Sequence, residues 1–368
     1  MILRSKKIFN IKICTIFLFL ILFSVSSATP AAIDSLLKKY NITENKLNPI
    51  VIKLGTLAPA GTPWISFFYE RLIPYLEQET RGLVKIVVYA GGVMGEDTDV
   101  LRKMRLGQLQ GCGCTALGTF LAAPEAALLN LPLFFRDYKE VDFIIEKFRP
   151  EIEKVFEKRG YYIIAILDTG FFYLFSKTKA KTIEDMRKQK ILTWFGDVET
   201  TTLEEAGIKP IKVSVPDVVT SLQTGLINAD IAPPVWQMAT QAYVHTNYYV
   251  TQPLFYSIGG LVIDKNQIDS ITIKYPKGLD KEIIKLTMRL IKNLEKEWKD
   301  QVRDFEAKSL RAFEKSGMVP VDLHPEDLEQ FHKISGNVWK KLEGKLYPKE
   351  LLDKVNTALK EFRARKKK

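Results

Sequence analysis

Two rhythms of apolar and polar positions alternate along this chain. Ile50 to Leu57 is a β-branched, strand-like run that ends in Ala58-Pro59-Ala60-Gly61. Thr62 then suits a helix N-cap with Pro63 at the first helical position, and Trp64, Phe67, Phe68, Leu72 and Leu76 form an apolar stripe. Leu83 to Tyr89 predicts the next strand, and Gly91, Gly92 and Gly95 supply a tight exit from it. Glu96, Asp97 and Asp99 crowd the first turn of the following helix, where carboxylates suit the dipole. Val100, Leu101 and Met104 share a face of that helix, and Gly107 lies where it should stop. A second strand and a long apolar connection through Phe135 follow. The alternation continues to the run Tyr161 to Leu167, which predicts an α/β sheet with parallel strands.

A second region begins near Gly170. It contains the strands Phe171 to Ser176 and Lys190 to Trp194, a helix after Asp197, and the strand Ile211 to Val213. Pro216 to Gly225 is a short helix with a glycine stop, and the strand Asn228 to Ala232 runs into Pro233-Pro234. Tyr256 to Asp264 is a strand that returns to the first region. From Leu279 to Glu314 the positions Ile283, Leu286, Leu290, Leu294, Trp298, Val302 and Phe305 keep helical spacing, which predicts one long amphipathic helix. Residues 29–48 are a polar, weakly helical lead-in.

The N-terminus changes the picture. Arg4, Lys6, Lys7 and Lys12 precede an apolar run, Ile13 to Val25, and the small residues Ser26-Ser27-Ala28. This is the pattern of a signal peptide, residues 1–28, cleaved near Thr29, with a hydrophobic stretch too short to span a membrane comfortably. Removal of those four basic residues lowers the formal charge from +11 to about +7. Much of the remaining surplus is the basic tail Arg363, Arg365 and Lys366-Lys367-Lys368, read as a solvated helix end rather than a nucleic-acid patch. After cleavage Cys112 and Cys114 are the only cysteines; their i, i+2 spacing reads as two small core residues, not bonded to each other and not a metal pair.

Catalytic chemistry is missing from the pattern. His245, His324 and His332 are scattered. There is no P-loop, no G-x-G-x-x-G after a strand, no G-x-S-x-G elbow and no H-E-x-x-H. Nothing implies a cofactor, a metal or an enzyme.

Three ordered landmarks carry a resemblance. GGVMGEDTDVLRKMRLGQLQG followed by PEAALLNLPLFFRDYKEVD is the first; Thr182 to Ile191 is the second; Val215 to Pro233, with Leu222-Gln223-Thr224-Gly225 and Asn228-Ala229-Asp230, is the third. Together they resemble the DctP-type solute-binding proteins of tripartite ATP-independent periplasmic (TRAP) transporters, over the chain from about Val51 to the C-terminus. The resemblance implies a bilobal, periplasmic-binding-protein-like α/β fold. Two α/β lobes surround a ligand cleft, and a long helix spans both. The expected division is 49–170 and 257–296 for the first lobe, and 171–256 and 297–368 for the second. The expected role is a periplasmic receptor that captures a small molecule by cleft closure and delivers it to the membrane permease subunits, with a helical-repeat (TPR) lipoprotein as a further candidate partner. The alternatives are a receptor of the same fold coupled to a sensor or lipid-handling partner, and, more remotely, an exported enzyme.

The chain departs from the family at the ligand. Where relatives place an arginine that grips a carboxylate, this sequence has Leu192; a second arginine position is Phe172, and a polar position before the third landmark's proline is Ala232. An unpaired buried carboxylate costs several kcal/mol, so the resemblance with these losses implies a largely apolar or neutral ligand unless Lys53 or Lys177 takes over the anion. The candidate ligand-contact set is Thr56, Leu57, Trp64, Cys114, Phe172, Leu192, Trp194, Ala232, Trp236 and Tyr256.

Overall fold

The structure, a computed structural model, describes residues 31–43, 47–193, 196–270 and 278–365. The expected signal peptide, Trp194 and the last three lysines lie outside these residues. In chain order the strands are β1 (Ile50–Thr56), β2 (Val84–Tyr89), β3 (Gly111–Cys114), β4 (Tyr161–Ser176), β5 (Leu192–Thr193), β6 (Ile211–Lys212), β7 (Ala229–Ala232), β8 (Tyr248–Val250), β9 (Phe255–Asp264) and β10 (Val319–Val321).

One eight-stranded sheet organises the molecule, in the order β10-β8-β4-β9-β3-β1-β2, with β7 also paired to β4. β5 and β6 form a separate parallel pair. The expectation of parallel strands holds for β1 with β2 and with β3. It fails where the chain passes between lobes, since β9 runs antiparallel to both β3 and β4. The reason is that β9 returns towards the first lobe, opposite to β4, which leaves it. The two strands expected on either side of Gly170 are one 16-residue strand, β4, shared by both lobes. Its register with β9 shifts between Ile163 and Ala165 and again between Asp168 and Gly170, where Gly170 adopts φ +113°, a conformation that disfavours any side chain.

The long helix is interrupted. Leu279–Asn293 and Glu295–Lys315 are separate helices that meet at Leu294. The interruption coincides with Glu295, which turns into the sheet, accepts a 3.0 Å hydrogen bond from the Ile166 N–H and pairs with Arg149. That N–H lies beside the first register shift of β4, where a side-chain acceptor takes the place of a ladder partner.

Helices cover both faces. On one, Phe67, Phe68, Leu72, Ile283 and Val302 pack around Trp298, whose indole stacks on Phe67 at 4.9 Å and meets the Phe68 edge at 4.7 Å. Full burial of such side chains contributes about 1.5–3 kcal/mol each. The stripe expected from Trp64 to Leu76 is present, but the helix Pro63–Phe67 loosens into a π turn at Phe68–Leu72 before Ile73–Thr80. Pro74, the second residue of the last piece, lacks the N–H a continuous helix would need there. The C-terminal segment, expected wholly with the second lobe, divides. The helix Pro325–Leu342 packs on Asp197–Glu205, whereas Lys349–Arg365 returns to Tyr138–Lys158. Arg363 anchors that return, since its guanidinium reaches buried Glu140 at 2.9 and 2.7 Å and donates to the Phe134 carbonyl at 2.8 Å. It is therefore a tertiary contact and not part of a solvated tail.

Candidate functional site

The carboxyl ends of β1 and β3 open onto a cleft with about 990 Å³ of space unfilled by protein, part of it continuous with solvent. Ligands of open α/β sheets bind at such strand ends. From the first lobe come Thr56 to Pro59 at and beyond the end of β1, Trp64 and Phe68 of the next helical segment, Glu96 and Asp97 at a helix start, and Gly113 to Thr115 at the end of β3. The crossing strands supply the floor: Leu167, Asp168 and Thr169 of β4, with Gly259 and Gly260 of β9. The second lobe faces them with Val213, Val215, Pro233 and Trp236, and Trp298 closes one side.

Local geometry explains why these groups converge. Thr56 donates its hydroxyl to the Gly113 carbonyl at 2.7 Å and accepts from the Ala58 N–H at 3.2 Å, so it ties β1 to β3 and shapes the turn beyond. Thr115 donates its hydroxyl to Asp97, whose other oxygen lies 3.4 Å from the Thr115 N–H. Gly118 permits this approach, because a Cβ there would sit 2.6 Å from the Asp97 carboxylate. Asp97 is buried, and burial pushes its pKa up to about 6 against the hydrogen bonds from Thr115 and Gly118. Beside it, Glu96 accepts a 3.1 Å hydrogen bond from the Val215 N–H, which joins the two lobes across the cleft rim.

The floor is electrostatically closed. Arg303, on the helix Glu295–Lys315, places Nε 2.6 Å from the fully buried Asp168 carboxylate and both terminal nitrogens 2.7 Å from Asp142. Tyr256 donates its hydroxyl to Asp168 as well, and Trp64 donates its indole N–H to the Asp168 carbonyl at 2.9 Å. The Arg303 pKa rises because these hydrogen-bonded carboxylates outweigh the burial that would lower it, and the Tyr256 hydroxyl is pushed well above its usual range by burial and Asp168. Three residues on, Glu306 is raised to about 8 by burial, despite the hydroxyl it accepts from Tyr138. A Cβ on Gly170 would lie 2.7 Å from Glu306, so this helix presses directly on the bend of β4.

Five of the ten candidate residues line the cleft: Thr56, Leu57, Trp64, Cys114 and Trp236. Four are placed elsewhere. Leu192 has no exposure and packs with Val218, Leu222, Ile227 and Ala242 in a small core of the second lobe. Phe172, whose backbone pairs with Phe255, lies in the main core, 1% exposed, and does not line the cleft. Ala232 ends buried β7 opposite Tyr173, and only the next residue, Pro233, reaches the cleft. Tyr256 stands behind the floor on Asp168. The tenth, Trp194, lies outside the described residues. Cys112 and Cys114, expected to be unbonded, are joined by a disulfide. Their Cα atoms are 5.0 Å apart, inside the separation that a disulfide spans.

In the sequence Glu96 and Asp97 read only as a helix start and Val215 as the first residue of the third landmark, while Asp168 carries no signal of its own. Their convergence has no sequence period. Neither alternative anion anchor lines the cleft: Lys53 is exposed on β1, and Lys177 donates to the Leu222 carbonyl in the second lobe. Among the described lining residues Glu96, Asp97 and Asp168 are ionisable, and none is lysine, arginine or histidine. No group of metal-ligating side chains occurs among the described residues.

Residues 54–345 match the sequence model of the bacterial extracellular solute-binding proteins, family 7 (DctP). The C4-dicarboxylate-binding periplasmic protein DctP of Rhodobacter capsulatus is 24% identical over 246 residues, 65% of this chain and 72% of that protein. An uncharacterized protein, YiiZ, of Salmonella typhimurium is 27% identical over 162 residues, 42% of this chain and 48% of its own length. The matched region thus spans about half of one curated relative and rather more of the other. The sugar acid binding protein DctPAm of Advenella mimigardefordensis, solved with galactonate, superposes with a TM-score of 0.76 at 15% identity, over 86% of this chain and 99% of that one. That likeness establishes the bilobal α/β fold.

Proposed function

The chain belongs to the bacterial extracellular solute-binding proteins of family 7, binding proteins rather than enzymes, and from that premise we propose that it is the periplasmic receptor of a TRAP-type transporter for a small, largely apolar ligand. Closure of the two lobes captures the ligand, and the closed form presents it to the membrane permease. The basic and apolar N-terminal pattern supports export. A helical-repeat (TPR) lipoprotein as accessory partner rests on the family resemblance alone, and co-purification from native membranes would test it.

One observation carries the ligand reading. The relatives whose names state a ligand take acids such as C4-dicarboxylates or galactonate, whereas no described residue lining this cleft is a lysine, arginine or histidine that could supply a counter-charge to a carboxylate. Tryptophan, phenylalanine, leucine and valine side chains dominate the walls instead, and buried apolar surface contributes roughly 25 cal/mol per Å² without a counter-charge. Native mass spectrometry of protein purified without refolding should reveal a co-purified, extractable hydrophobic compound. Calorimetry should show no heat with malate, galactonate or glucuronate, and micromolar binding of any of them would reverse the assignment. Leu192→Arg is not expected to restore acid binding. With no exposure at that position, it should destabilise the second lobe by about 4 kcal/mol or more, read by urea titration.

A further inference from the structure

We propose, building on the two-lobe receptor reading, that Glu306 is a positioning residue for closure, one that takes up a proton as the lobes close. Two buried glutamates of the helix Glu295–Lys315, about three turns apart, reach the two register shifts of β4. Glu295 takes the Ile166 N–H at the first shift and is compensated by Arg149, with Lys299 3.8 Å away. Glu306 meets the second, with Oε2 2.7 Å from the point where a Gly170 Cβ would stand. It accepts hydrogen bonds from the Tyr138 hydroxyl and the Phe171 N–H. Unlike Glu295 it has no cation of its own, since Arg303, a turn earlier, is held by Asp168 and Asp142.

The groups around Glu306 favour a neutral acid. β4 brings Asp168 and Tyr173, and the helix Tyr138–Lys158 brings Tyr138 and Asp142. Tyr256 of β9 is bound to Asp168, and Tyr249 of β8 to Glu314. On the same helix, Asp304 and Lys308 pair with each other. The helices Pro63–Phe67 and Pro234–Thr240 pack against it and bring no ionisable side chain. Burial and the Asp168 charge hold the Glu306 carboxyl at about 8, against its two hydrogen bonds and Arg303.

Its two donors come from opposite sides of the crossing. Tyr138 precedes β4, whereas Phe171 follows the bend at Gly170, and the helix that carries Glu306 packs on elements of both lobes. Rotation at Gly170 separates the donors, so Glu306 cannot keep both, and water admitted there returns the acid to its ordinary range of about 4.3. The closed form is therefore the one that holds the proton. Closure is unopposed below that range, weakens by up to about tenfold per pH unit above it, and levels off above about pH 8.

The test is X-ray scattering of the purified, ligand-free chain at pH 6.5, 7.5 and 8.5. The same series on Glu96→Ala, whose loosened rim brings the open and closed forms nearer to balance, makes a small shift visible. The radius of gyration should rise with pH and stop rising above about pH 8. Glu306→Gln keeps an acceptor for both donors but never ionises, so in either chain it should stay compact across the series. Tyr138→Phe removes a hydrogen bond that favours the charged form, and should move the levelling-off to higher pH. It serves as the second variant should Glu306→Gln fail to fold, which thermal melts would show.

Opening in Glu96→Ala with no pH dependence would overturn the proton inference and leave the receptor reading standing. The same pH profile in Glu306→Gln, or an unmoved one in Tyr138→Phe, would assign the transition to another group and also overturn it. No opening in either chain at any pH would overturn both readings.

Discussion

Asp168 and Asp97 are both buried aspartates at the wall of one cleft, yet they live in opposite surroundings. Asp168 is held by an arginine and a tyrosine hydroxyl, and its charge is compensated inside the fold. Asp97 has only a threonine hydroxyl and backbone N–H groups, and burial raises its pKa to about 6. One carboxylate is part of the frame that joins strand β4 to the helix Glu295–Lys315, and the other ties the start of the helix Asp97–Arg105 to the turn at Thr115 without a cation. Partners, not residue type or burial, separate a charge-compensated acid from one that burial drives toward its neutral form.

The sharpest way to break that contrast is to remove the partner of Asp168. Arg303→Met should destabilise the protein by about 3–5 kcal/mol, because an uncompensated carboxylate would stay buried. Chemical denaturation measures this, and a loss below 1 kcal/mol would mean the floor is wetter than the packing implies. A partial rescue by Asp168→Asn in the same chain would locate the cost in the orphaned charge.

Asp97 should behave the other way. Its folded-state pKa of about 6 lies above the unfolded value near 3.9, so the stability linked to its protonation is present below pH 4 and is lost as pH rises through 6. Asp97→Asn abolishes that dependence. Relative to the unmodified protein, the variant should gain about 1.4 kcal/mol between pH 5 and pH 8. Parallel thermal melts at the two pH values read the difference, and a pH-independent offset would show that Asp97 is not perturbed by its burial.

The smallest effect concerns the rim. Glu96→Ala removes the acceptor of the Val215 N–H, a partly exposed contact of about 1 kcal/mol that exists only when the lobes meet. Fold stability should barely change. The open form should gain several-fold in population, which X-ray scattering of the ligand-free protein would show as an increased radius of gyration. Unaltered scattering would assign closure to the apolar walls alone.

By itself the amino-acid order determined the local elements: the strand that ends at Thr56, the proline-started helix after it, and the glycine turn into an acid-rich helix start. Each depends on neighbours a few residues apart, so period and turn chemistry suffice to reveal it. The family resemblance made the bilobal architecture legible, and five of the ten candidate residues do reach the cleft. Tertiary structure alone decided the rest. A strand's apolar residues point alternately to two faces, and whether a face meets core or cleft depends on strands far away in sequence; Leu192, Phe172 and Ala232 therefore lie in core while Thr169 and Pro233 reach the cleft. The charge balance was equally hidden. Asp168 is neutralised from a residue 135 positions away, and Glu96 finds its partner 119 positions away. No local pattern encodes such pairings, because electrostatic energy depends on distance through the folded molecule and not along the chain.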